Sequence, residues 1–205
     1  MLAGPGIPGI DILVAQGQLI NRANGAPEVV IEMNVRIQRS LGDIAKEEPD
    51  PEKAGPLMRS AMREEIALLP PAIMEAIPES QIGDAAINTT VNQFNSPWFR
   101  FFLHYDPRPV LEQVSVPVLA IFGEKDLQVP HELNVPEIEA AFERGNNEAV
   151  TVRVLPGLNH LFQKAESGAP SEYQQIEETF NQSALELVSS WILKQFATPK
   201  LDTLS

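Results

Sequence analysis

Val116-Pro-Val-Leu-Ala-Ile-Phe-Gly-Glu-Lys-Asp126 decides how this chain is read. Its run from Val116 to Phe122 is apolar, rich in β-branched residues and ended by Gly123, as in a strand buried on both faces of a parallel sheet. Proline has no N–H for the ladder, so Pro117 fits only at the strand's beginning. Further along, Pro136 to Arg144 predicts a helix, with proline near its start, Glu137 and Glu139 in the first turn and Gly145 at its end. Val150-Thr-Val-Arg-Val-Leu155 reads as a second strand, halted by Pro156-Gly157. Ser183-Ala-Leu-Glu186 has the spacing of a capping box. The helix it opens is expected to lay a stripe of Leu185, Val188, Ile192 and Phe196 on the sheet. Strand, helix, strand, helix argues an α/β fold with parallel strands and right-handed crossovers.

Towards the N-terminus the period changes. Val30, Met33, Ile37, Leu41 and Ile44 recur at helical spacing, with Glu32, Arg36 and Arg39 off the stripe. Apolar segments follow over 57–69 and 82–94, punctuated by Pro70-Pro71 and Pro78. Residues 27–104 are therefore expected to form a helical subdomain. Met1-Leu-Ala-Gly-Pro-Gly6 reads as the stub of a strand running into a Gly/Pro loop, so 1–26 is expected to be a strand stub and lead-in loop. Residues 105–205 make the α/β portion. No internal repeat is evident.

Composition bounds the function. A chain of 205 residues, 43% hydrophobic, can bury a substantial core. Its net charge of −13 disfavours nucleic acid and anionic membrane surfaces, which need clustered Lys and Arg. The acidic stretches Glu47-Glu48-Pro-Asp50 and Glu177-Glu178 read as solvated surface. Cysteine is absent, which excludes disulfides and thiolate metal sites and leaves the compartment open. The apolar opening is broken by Pro5, Gly6, Pro8 and Gly9 and lacks a basic lead, so it does not read as a signal peptide. A cytoplasmic location is the default expectation, reversible by an upstream signal.

Two loops carry candidate chemistry. Asp126 stands just beyond the first strand, and His160 stands just beyond the second in Leu155-Pro-Gly-Leu-Asn-His160. Neighbouring parallel strands end on one edge, about 4.8 Å apart, so both side chains would arrive together. There a carboxylate can hold one imidazole nitrogen and leave the other free as a base. Taken singly, Gly-Glu-Lys-Asp is also an ordinary turn, and a histidine in a Gly/Asn loop is also an ordinary surface residue. His131, after Pro130, reads as a solvated or capping histidine. His104 lies in the aromatic cluster Trp98-Phe-Arg-Phe-Phe-Leu-His-Tyr105, which packs cap on sheet or lends Trp98, Phe101 and Tyr105 to an acyl pocket. Three scattered histidines without an HExxH pattern make a poor metal site, and no cofactor is implied.

Val116–Asp126 and Val154–Phe162 (VLPGLNHLF) together resemble the end of an α/β-hydrolase chain. The resemblance implies that Asp126 is the acid after one late strand and His160 the base after the last. It further implies that the helical zone is the cap inserted over the active site, and that Met1–Gly6 ends the strand before that cap. The expected fold is thus the C-terminal part of an α/β-hydrolase sheet, few parallel strands with flanking helices, plus a helical cap. The implied function is ester or acyl-bond hydrolysis of serine-hydrolase type on a small-molecule substrate.

The nucleophile departs from the family pattern. Serines stand at 40, 60, 80, 96, 115, 167, 171, 183, 189, 190 and 205, none within Gly-x-Ser-x-Gly. The chain alone is therefore expected to be inactive. The alternative is a non-catalytic binding or oligomerisation module, homodimeric or complemented through an exposed sheet edge, or a truncated gene product needing an N-terminal half.

Overall fold

The computed structural model describes residues 1–196. A helical series opens it: α1 Gly9–Ala23, α2 Glu28–Glu47, α3 Pro51–Ala67, α4 Pro71–Ala76, α5 Glu79–Ile82, α6 Asp84–Phe94, α7 Pro97–His104 and α8 Arg108–Leu111. Then come β1 Val118–Gly123, α9 His131–Arg144, β2 Val150–Leu155, a 3-10 turn over Pro170–Gln175, and α10 Gln182–Phe196. The chain is mixed α/β. Among the described residues, no helix is long and apolar enough to cross a membrane.

β1 and β2 are parallel neighbours in register from Val118↔Val150 to Gly123↔Leu155. Leu2 makes a parallel bridge to Ile121, and Ala3 N–H donates to the Ile121 carbonyl at 2.8 Å. β1 therefore lies between the Met1–Ala3 stub and β2. That position explains its burial, with Ala120, Ile121 and Phe122 wholly shielded. β2 is half-exposed, with Arg153 and Val154 open to solvent on an edge strand.

The core has two parts. The α2 stripe buries Met33, Ile37 and Leu41 against Met58 of α3, Val91 of α6 and Leu103 of α7. Around β1, Ile121 and Phe122 pack with Ile138 and Phe142 of α9, Phe162, and Ala184 of α10. α1 serves both parts, because Ile12 faces the sheet cluster while Ile10 and Leu13 face the helical one. Phe102 touches both clusters as well. At Gly9 the start of α1 meets the end of α7 so closely that a Cβ would fall 1.9 Å from the Phe102 carbonyl. Only glycine allows that contact.

Several local expectations need correction. The lead-in to Ala26 is not a loop throughout, since α1 starts directly after Pro8, whose fixed φ suits the residue preceding a helix. α9 likewise begins at His131, with Pro136 inside it and Glu132 in the first turn. Five residues of helix therefore precede the expected start. In α10 the capping residue is Asn181, whose Oδ1 accepts from the Ser183 N–H at 3.0 Å. The packed face carries Ala184, Leu187, Val188 and Trp191, while Leu185, Ile192 and Phe196 are exposed, Phe196 by 80%. Of the expected stripe, Val188 alone meets the sheet cluster. An offset of a single residue turns a helix by about 100° and exchanges one face for the next.

Candidate active site

The site forms where β1 and β2 end. The ladder closes with Glu124 N–H donating to the Leu155 carbonyl at 2.9 Å, and beyond it Lys125 N–H donates to the Leu158 carbonyl at 2.8 Å. The Gly157 N–H in turn donates to Glu124 Oε2 at 2.7 Å. At Gly123, a Cβ would lie 2.3 Å from the Leu158 carbonyl oxygen and 2.5 Å from that of Asn159. The end of β1 can approach the histidine loop this closely only without a side chain.

Asp126 occupies an Asx-type turn. Its Oδ1 accepts from the N–H groups of Gln128 and Val129, each at 2.8 Å. Its Oδ2 lies 2.9 Å from His160 Nδ1. The carboxylate is fully buried, whereas the His160 side chain keeps 28% of its surface exposed. A carboxylate can only accept, so a neutral His160 carries its proton on Nδ1 and leaves Nε2 unprotonated. The arrangement can take up a proton at Nε2 and stabilise the imidazolium that results.

Tyr173 stands on the far side of the acid loop, its hydroxyl oxygen accepting from Gln128 Nε2 at 2.9 Å. Burial pushes the Tyr173 phenol above its ordinary range, and the negative charge of Asp126 adds to the effect. A strap over 164–175 binds the same loop from outside. Lys125 Nζ donates to the carbonyls of Ala165 at 2.9 Å and Glu166 at 2.6 Å. Within the strap, Glu172 accepts from the Ser167 hydroxyl and from the N–H of Ser167, which hold its carboxyl below the usual range.

A recess of about 290 Å³ reaches Asp126, walled by Ala15, Gln18 and Leu19 of α1 and by Leu127 and Leu133. The sequence alone does not place α1, Tyr173 or the strap at the site; the apolar repeat Ile12, Ala15, Leu19 is a sequence signal for α1. Trp98, Phe101 and Tyr105 do not border this recess. Trp98 stacks on Phe102 with centroids 5.5 Å apart and is 67% exposed, while Phe101 lies against Tyr105 at 5.4 Å. His131 begins α9 and pairs with Glu132 at 3.3 Å. Among the described residues, no serine hydroxyl bonds to His160; that of Ser167 bonds to Glu172 and that of Ser171 to Asn24. No His, Asp or Glu cluster fit to hold a metal ion is found among the described residues.

No protein-family model, curated protein or solved structure matches this chain.

Proposed function

We propose that Asp126 and His160 are the orienting acid and general base of a serine-hydrolase-type site for ester or acyl-bond hydrolysis. One observation carries the reading: a buried carboxylate 2.9 Å from Nδ1 of a partly exposed imidazole, at the C-terminal ends of adjacent parallel strands. The stub–β1–β2 order and the helical block between stub and β1 support the narrower likeness to the C-terminal part of an α/β-hydrolase with its cap. His160 would deprotonate a serine supplied from outside the residues described, and Asp126 would hold the imidazole in the tautomer that leaves Nε2 free.

The test is hydrolysis of a short-chain aryl ester. The chain alone is expected to give no turnover above that of its His160→Ala variant. Fused to an N-terminal half that carries a Gly-x-Ser-x-Gly elbow, it is expected to turn over, and Asp126→Asn should then lower the rate on the order of 10⁴-fold. Fusion turnover that survives His160→Ala would defeat the reading.

A second reading, a binding or complementation module, is favoured by a different observation. An apolar groove of about 510 Å³ runs beside the start of β1, lined by Met1, Leu119, Phe142, Val188, Trp191 and Ile192. Sedimentation that finds a monomer at all concentrations, alone and with such an N-terminal half, counts against this reading.

A further inference from the structure

His160 is projected by a short loop in which its own backbone takes no part. Among the described residues, neither its N–H nor its carbonyl makes a hydrogen bond. The bonds that close the loop converge instead on Asn159. Its Oδ1 accepts from the N–H groups of Leu161 and Gln163, each at 2.9 Å. Its Nδ2 donates to Gln163 Oε1 at 3.0 Å. On the main chain, Asn159 N–H donates to the Gln163 carbonyl and the Phe162 N–H donates to the Asn159 carbonyl, both at 3.0 Å. Asn159 is wholly buried, and Phe162 accepts a left-handed φ of +57° within the same turn.

We infer that Asn159 is the positioning residue for His160, its amide fixing the loop that sets Nδ1 against Asp126. A side chain here needs a carbonyl-type oxygen one methylene from Cα to meet two converging N–H groups. Serine places its oxygen too near and glutamine too far. Burial raises the stakes, because truncation would leave the Gln163 N–H, whose bond to Asn159 is buried, without a partner. The network is anchored beyond the loop as well. Gln163 Nε2 donates to the Glu178 carbonyl at 2.9 Å, and Asn181 N–H donates to the Phe162 carbonyl at 2.8 Å. The histidine loop is thereby tied to the start of α10. Gly123 packs against the Asn159 carbonyl from the other side, where a side chain would not fit.

The catalytic consequence rests on the acid–base reading above, but the geometric claim does not. The test is therefore ¹⁵N-histidine NMR on the whole chain, which reads the hydrogen bond without any turnover. Wild type is expected to show a downfield, slowly exchanging Nδ1–H for His160, assigned by its loss in His160→Gln. Asn159→Asp keeps the accepting oxygen and should keep that signal. Asn159→Leu, close in volume, should lose it and mix the His160 tautomers while the Ile121 and Ile138 methyl signals stay native. A folded Leu variant that retains the signal overturns the inference, and so does a folded Asp variant that loses it. Where the Leu variant fails to fold, the Asp variant alone decides. An ester assay that fails while this pattern holds removes the hydrolase reading and leaves the positioning role intact.

Discussion

In the helical cluster, Met33, Ile37 and Leu41 bury one stripe of a single helix against Met58 of the next. In the sheet cluster, Ile121 and Phe122 are covered by Ala3, Ile138, Phe162 and Ala184, drawn from the whole length of the chain. The first kind of core follows from local period; the second exists only once distant segments meet. The proposed site sits with the second, since the ends of β1 and β2 deliver Asp126 and His160, and a surface built from remote segments can bring together groups that no helix face could.

The comparison can be broken most severely at Phe122, which has no exposed surface. Phe122→Ala should cost about 3–5 kcal/mol by leaving a cavity under the site. The check is urea unfolding, with loss of the His160 Nδ1–H signal. Leu41→Ala, equally buried in the other cluster, should cost about 2–5 kcal/mol and leave that signal in place below the unfolding transition. Coupling between the clusters comes next. The two tryptophans divide between them, Trp98 on α7 and Trp191 on α10, so single-tryptophan variants report each region separately. Because α1 and Phe102 belong to both clusters, the two reporters should unfold at one urea concentration. Gly9→Ala, which drives a methyl group into the Phe102 carbonyl, should cost about 1–3 kcal/mol and pull the two transitions apart.

The smallest expected effect is alkaline. A phenol raised by burial is neutral in the fold, so its contribution is complete below the unfolded value of about 10 and declines as pH rises towards the folded one. In a Tyr105→Phe variant, where Tyr173 is the remaining tyrosine, absorbance titration should place ionisation above about 10. Tyr173→Phe should flatten that part of the stability profile.

The same division separates what the sequence discloses by itself from what it conceals. The α2 stripe and the two strands are legible because their periods repeat within a few residues. The pairing of Asp126 with His160 is legible because parallel strands share an edge, a rule of topology rather than of contact. α1 is hidden because Pro8 and Gly9, at the end of the Gly/Pro loop, serve a helix start and a close approach to α7. α9 outruns its expected start because Pro136 sits inside the helix, so Glu132 simply loses the partner for its carbonyl. Asn159, Tyr173 and the strap carry no period at all. Their roles come from hydrogen bonds that close only in three dimensions.

The outer edge of β2 has a consequence for the chain's behaviour at high concentration. With Val118 N–H donating to the Ala149 carbonyl and Glu124 N–H to the Leu155 carbonyl, the register sends alternate carbonyls of β2 to β1 and turns the Val152 carbonyl away. Arg153 folds back to donate to that outward oxygen at 2.7 Å. A second molecule adding a strand there would have to displace a guanidinium and leave its charge beside the new ladder. A charged side chain lying along an outer strand is one of the ways sheets discourage edge-to-edge pairing.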